Sequence, residues 1–190
     1  MIIGITGTNG AGKGTVVEYL VDQKGFTHYS ARAEITREVE SRGLPLNRTN
    51  LNEVATDLRE KHGPNYFSDL FMRRAREQEV ENAVLESIRN PLEADNIKEH
   101  GGFMVAVDAD RKVRYDRISS RASETDKVSF EEFCVQEDRE MTSEDPSNPA
   151  KMSIRDVIAR CDATLMNDGS REELYTQIEA MLERFRGMAR

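Results

Sequence analysis

Cysteine is scarce in this chain: Cys134 and Cys161 are its two cysteines among 190 residues, far apart and without metal-ligand spacing. That excludes a disulfide framework and a zinc site, and the expectation is two reduced, semi-buried thiols in a cytoplasmic protein. An excess of basic charge is also missing. Lys and Arg total 27 against 35 Asp and Glu, a formal net charge of −8, so nucleic acid is not expected as a main partner. There is no apolar run long enough to span a bilayer. No basic segment precedes the first apolar run either, so neither a signal peptide nor a membrane partner is expected. Internal repeats and low-complexity segments are absent, and His28, His62 and His100 show no ligand spacing.

What the chain does have begins at residue 2. Ile2 to Thr15 reads IIGITGTNGAGKGT: a β-branched run, then Gly7, Gly10, Gly12 and Gly14 with Lys13 and Thr15 among them, then an amphipathic segment. Strand, glycine-rich loop and helix in that order fit the phosphate-binding pattern Gly-x-x-x-x-Gly-Lys. Glycines let consecutive backbone N–H groups turn inward, and the helix N-terminus favours an anion. Thr8, Asn9, Gly10, Ala11, Gly12, Lys13, Gly14 and Thr15 are therefore expected to hold a nucleotide phosphate chain. Lys13 supplies a point charge that can follow a transferring phosphoryl group.

Downstream, apolar strands alternate with helical patterns. Strands are expected at Phe26–Ser30, Ala83–Ile88, Phe103–Val107 and Ala163–Met166. Helices are expected at Arg32–Arg42, Leu51–His62, Asn65–Glu79, Leu92–His100, Asp108–Arg121, Ser129–Thr142, Ile154–Cys161 and Ser170–Phe185, and Ser143–Ala150 reads as a mobile loop. Such alternation implies right-handed crossovers and a parallel sheet covered on both faces. The expected fold is α/β, a three-layer P-loop NTPase fold with a five-stranded parallel sheet. At 190 residues it forms one domain, with a small acceptor-binding insertion near 31–80 and a short lid near 121–150. Ligands bind beyond the carboxyl ends of the strands in such sheets.

The run Gly12-Lys13-Gly14-Thr15 resembles the loop of adenylate kinases and related nucleoside monophosphate kinases, whereas most other P-loop families place Ser or Thr directly after the lysine. This resemblance implies ATP as donor, a nucleotide acceptor, and magnesium held mainly by phosphates and by water that carboxylates orient. It implies acceptor contacts from Ser30, from Arg37, which is the better match in register, or from Arg32, and from Arg89. Glu86-Ser87-Ile88-Arg89 is similar to the family's Asp-Gly-Phe-Pro-Arg run, with Glu for Asp and without its Gly and Pro. Glu86, through water, and Thr15 would then serve magnesium. Asp116-Arg117-Ile118-Ser119-Ser120-Arg121 looks like the run at which the family's lid begins, implying Arg117 on the donor base and Arg121 on its phosphates. Asn167-Asp168-Gly169-Ser170 resembles the turn beside the donor adenine, with Asn167 and Gly169 as contacts, although Ser170 also reads as a helix N-cap.

Other charges have plainer readings. Glu131, Glu132, Glu137, Asp138 and Glu140 look like a solvated helix face, and Arg139 and Arg155 are the remaining candidates for lid arginines. Tyr66, Phe67 and Phe71 read as core at helical spacing in preference to a base pocket. The expected activity is phosphoryl transfer from ATP with Mg2+ to a nucleoside monophosphate or similar small nucleotide by a monomer or homodimer. Lys13, Arg89 and Arg121 would be catalytic. Dephospho-CoA kinase is the nearest alternative, while shikimate or gluconate kinases fit less well for want of a Gly-Lys-Ser loop. An ATP-dependent switch without acceptor stays open, and a GTPase is disfavoured because no Asn-Lys-x-Asp run is present.

Overall fold

Ile2–Thr6 forms β1, and hydrogen-bonded partners on both of its sides make it the centre of the sheet. In the computed structural model, which describes residues 1–120, 128–142, 145 and 147–188, the order is β2-β3-β1-β4-β5 and every pairing is parallel. The other strands are β2 Thr27–Ser30, β3 Ala83–Glu86, β4 Phe103–Asp108 and β5 Ala163–Met166. The helices are α1 Lys13–Lys24, α2 Ala31–Ser41, α3 Arg48–His62, α4 Tyr66–Glu77, α5 Pro91–Glu99, α6 Arg111–Ser120, α7 Phe130–Met141, α8 Ile154–Ile158 and α9 Arg171–Met188.

Strand periodicity divides the core into two. Ile3, Ile5, Val84 and Val105 face α1 and α9, where Val16, Leu20, Leu182 and Phe185 are buried. Leu85 and Met104 face the opposite layer, packing with Phe67, Phe71 and Ile97 from α4 and α5. Three-layer architecture follows, as expected. Phe67 and Phe71 are fully buried, so the core reading of these rings holds.

Several boundaries move for local reasons. α3 starts at Arg48, ahead of Leu51, because the Asn47 side chain accepts from Asn50 N at 2.9 Å and caps it. The helix expected from Asp108 begins at Arg111 instead, since β4 extends through Asp108 and Asp110 accepts from Lys112 N at 2.8 Å. The described part of the loop after α7 is anchored rather than loose: Asn90 Nδ2 donates to Pro149 O at 2.7 Å and Lys151 O at 3.0 Å, and Ala150 is buried. Ser170 does cap α9, in a reciprocal pair with Glu173. Burial, chiefly, pushes the Cys161 thiol up to about 12, so it stays protonated and inert at neutral pH. Among the described residues no helix is long and apolar enough to cross a membrane.

β3 ends in an unusual turn. Ser87 has φ 68°, a left-handed backbone that costs a residue with a Cβ about 1–2 kcal/mol. The sequence run it belongs to resembles one with glycine at this position. Ser87→Gly is therefore expected to raise stability by about 0.5 kcal/mol, the relief being partly offset by the chain entropy glycine loses on folding. A urea midpoint that falls while the denaturant slope is unchanged would contradict this.

Candidate active site

The phosphate loop joins β1 to α1 across the carboxyl edge of the sheet. Gly10 and Gly12 hold φ of 80° and 94°, and a Cβ on Gly12 would strike the Asn167 side chain. Both positions therefore require glycine. α1 begins with no side-chain cap and no acidic residue in its first turn, leaving its N-terminal amides directed at the loop's hollow. Gly14 differs, since a Cβ there would meet open space. Lys13 Nζ folds back to donate to Gly7 O at 2.9 Å and Thr8 O at 2.7 Å.

This loop opens into a cleft of about 570 Å³. Asn9, Gly10, Gly12, Lys13, Gly14 and Thr15 line one end, and the walls carry Arg32, Arg48, Arg59, Glu86, Arg89 and Arg171. Ile35, Leu51 and Ala55 add an apolar strip between the arginines. The cleft thus brings a phosphate cradle and a concentration of guanidinium groups together within a protein of net charge −8.

The expected residues divide. Arg32, Glu86 and Arg89 lie in the cleft with the loop. Arg37 does not: its side chain is 64% exposed and bonded to Glu34 at 2.7 Å. Thr8 and Ala11 belong to the loop but are buried behind it, where Thr8 Oγ1 donates to Asp108 at 3.2 Å. Ser30 caps α2 by accepting from Ala33 N at 3.3 Å, and it is not among the cleft-lining residues. Asn167 Nδ2 donates to Ala11 O at 2.9 Å, so its side chain braces the loop from behind. Gly169 lies against the Glu173 carboxylate, away from the cleft lining. Arg117 sits on α6 outside the lining, with its buried Nη1 lacking a partner among the described residues. Arg121 lies outside the described residues. Arg139 and Arg155 are exposed and line no part of the cleft.

Glu86 accepts from or pairs with His28 Nε2 at 2.9 Å. That contact, ahead of the more distant charge of Lys13, holds its carboxyl below the ordinary value despite partial burial, and Glu86 is ionised at neutral pH. Among the described residues no three acidic, His or Cys side chains gather into an all-protein metal site.

Sequence reasoning missed three features of the cleft. Arg59 is 2% exposed and Glu93 is fully buried; Arg59 donates to it from Nε at 2.8 Å and Nη2 at 3.1 Å, and stacks 5.0 Å above Phe67. A signal existed, because Leu51, Ala55 and Arg59 recur every four residues and place a charge on α3's apolar stripe. Arg48 was unmarked by any motif. The acidic run on α7 was read as solvated, and the structure corrects this: Glu137 is buried against Arg114, and Glu140 reaches Arg89 and Arg48. Glu131 and Glu132 are exposed, as expected.

Comparison with known proteins agrees with this architecture. A family profile described as AAA domain matches residues 3–145. The UPF0200 protein of Methanothermobacter thermautotrophicus is 31% identical over 186 residues, covering 97% of this chain and 90% of the relative. The UPF0200 protein of Thermococcus gammatolerans is 28% identical over 197 residues, covering 100% and 98%. Among solved structures, shikimate kinase from Aquifex aeolicus aligns with a TM-score of 0.54 at 21% identity, covering 96% of each chain. A gluconokinase from Sinorhizobium meliloti aligns with a TM-score of 0.52 at 16% identity, covering 99% and 97%. These structures share the P-loop kinase fold. On the profile and the full-length relatives, the chain belongs to the AAA domain family and to the UPF0200 proteins, and its fold is that of the P-loop kinases.

Proposed function

We propose that the protein transfers the terminal phosphoryl group of ATP to a small nucleotide, a nucleoside monophosphate in the first instance. The observation that carries this reading is a single cleft holding the phosphate loop at one end and Arg32, Arg48 and Arg89 on its walls. Loop amides receive the donor phosphates, and Lys13 moves from the Gly7 and Thr8 carbonyls onto them. Arg32 and Arg89 hold the acceptor phosphate, whose oxygen attacks the γ-phosphorus as the bond to the β–γ bridging oxygen breaks and ADP leaves. The ring of the acceptor lies along Ile35, Leu51 and Ala55. Placement and charge neutralisation account for the catalysis, and no general base is required.

Thr15 and the ionised Glu86 are hard oxygen donors on the same cleft, and a magnesium ion that keeps most of its waters needs only one or two such groups. When bound, magnesium withdraws charge from the phosphate oxygens.

The fold shared with shikimate kinase and gluconokinase keeps small hydroxyacids among the acceptors to be tried. Purified protein with γ-labelled ATP and Mg2+ should be given nucleoside monophosphates, deoxynucleotides, dephospho-CoA, shikimate and gluconate in turn. Label is expected on a monophosphate at a rate well above ATP hydrolysis. Label on dephospho-CoA or a hydroxyacid alone would reassign the acceptor. Tight ATP binding with no labelled product would leave an ATP-dependent switch.

A further inference from the structure

Glu140 Oε2 lies 3.0 Å from Arg89 Nη1, and its Oε1 lies 3.5 Å from Arg48 Nη1. One carboxylate thus touches two arginines through different oxygens, and all three side chains line the cleft that contains the phosphate loop. The carboxylate is 13% exposed and each arginine 23%. Arg48 and Arg89 come from the start of α3 and the segment after β3, while Glu140 comes from α7. That helix is held in place independently. Glu137 on it pairs with buried Arg114 and with Arg111 at 2.7 Å, Asp138 meets Arg111 at 2.9 Å, and a Ser129–Glu132 capping box fixes its start. Its inner face borders Thr8 and Asn9 of the loop across a small void.

An oxyanion whose two oxygens bridge two arginines is the arrangement that a phosphate monoester or a carboxylate of a ligand would make. We infer that Arg48 and Arg89 form the seat for a terminal oxyanion of the acceptor, and that the chain's own Glu140 occupies that seat until the acceptor displaces it. The inference rests on the acceptor reading above and adds Arg48 as a binding residue and Glu140 as an internal competitor. An intramolecular carboxylate competes at high effective concentration, so the ligand's apparent affinity falls by the fraction of molecules with the seat open. A dianion prevails where a monoanion does not, which makes Glu140 a filter on acceptor charge as well as on access.

The test uses the full chain with the loop already filled by a non-hydrolysable ATP analogue, which occupies the γ-phosphate position as well, so that added anions report on the seat. Inorganic phosphate and acetate are titrated by calorimetry, with the Nε–Hε resonances of Arg48 and Arg89 followed by NMR. Glu140→Gln is expected to tighten inorganic phosphate about tenfold, the gain for a seat that Glu140 fills roughly nine-tenths of the time. Arg48→Ala weakens phosphate in the parent protein and cancels that gain in the double variant. Phosphate binding tighter than acetate assigns the seat to a phosphate-bearing acceptor, and the reverse assigns it to a carboxylate. Glu140 as a mere structural clamp predicts that Glu140→Gln lowers thermal stability and leaves phosphate affinity unchanged or weaker. Either that outcome, or no phosphate response at Arg48 and Arg89 in any folded variant, overturns the inference. Lys13-dependent transfer with unchanged phosphate affinity would remove this inference alone. A seat that tightens in a protein phosphorylating no acceptor would instead remove the kinase reading.

Discussion

Lys13→Ala is expected to lower phosphoryl transfer by about 10³-fold or more while the protein stays folded, because the lysine is a charge placed for the transferring group and not a core residue. In the structure its ammonium makes two hydrogen bonds to loop carbonyls and lies partly exposed. Losing them costs about 1–2 kcal/mol, which 190 residues with two well-packed cores can absorb. Transfer rates and thermal unfolding measured on the same preparation separate the two effects. A variant that keeps a tenth or more of its turnover would remove Lys13 from the mechanism.

The second large effect concerns stability. Arg59→Met leaves the fully buried Glu93 carboxylate without its bidentate partner, and is expected to cost about 3–5 kcal/mol. For a chain of this length that corresponds to a melting temperature lower by roughly 10 °C. The double variant Arg59→Met, Glu93→Leu removes both charges together and should recover most of the loss, since the attraction of a buried pair is largely offset by its desolvation. A single substitution costing less than about 1 kcal/mol would mean that water reaches the carboxylate, contrary to its burial.

How far the sequence could be read depends on whether the signal was local. The β1–loop–α1 unit was legible because its apolar run, its glycines and Lys13 adjoin one another and each residue type has a direct physical reason. The parallel sheet followed from alternation. Arg32 and Arg37 were harder. α2 starts at Ala31, directly after β2, so Arg32 lies in the first turn beside the cleft; five further residues rotate Arg37 by about 140° toward solvent. Arg48, Glu140 and Glu93 carry no such local mark, because their partners are 51 or 92 residues away for Glu140 and 34 for Glu93. Only Arg59 and Glu137 left a trace, as charges standing where an apolar residue was due.

The contact from Asn167 to the back of the phosphate loop joins residues 156 apart in the chain. During synthesis the glycine motif is made long before the brace that shapes it, which arrives only after β5. A nascent chain therefore carries the signature of a nucleotide site long before it has a rigid cradle. A rigid phosphate cradle is thus a property of the finished fold and not of the motif alone.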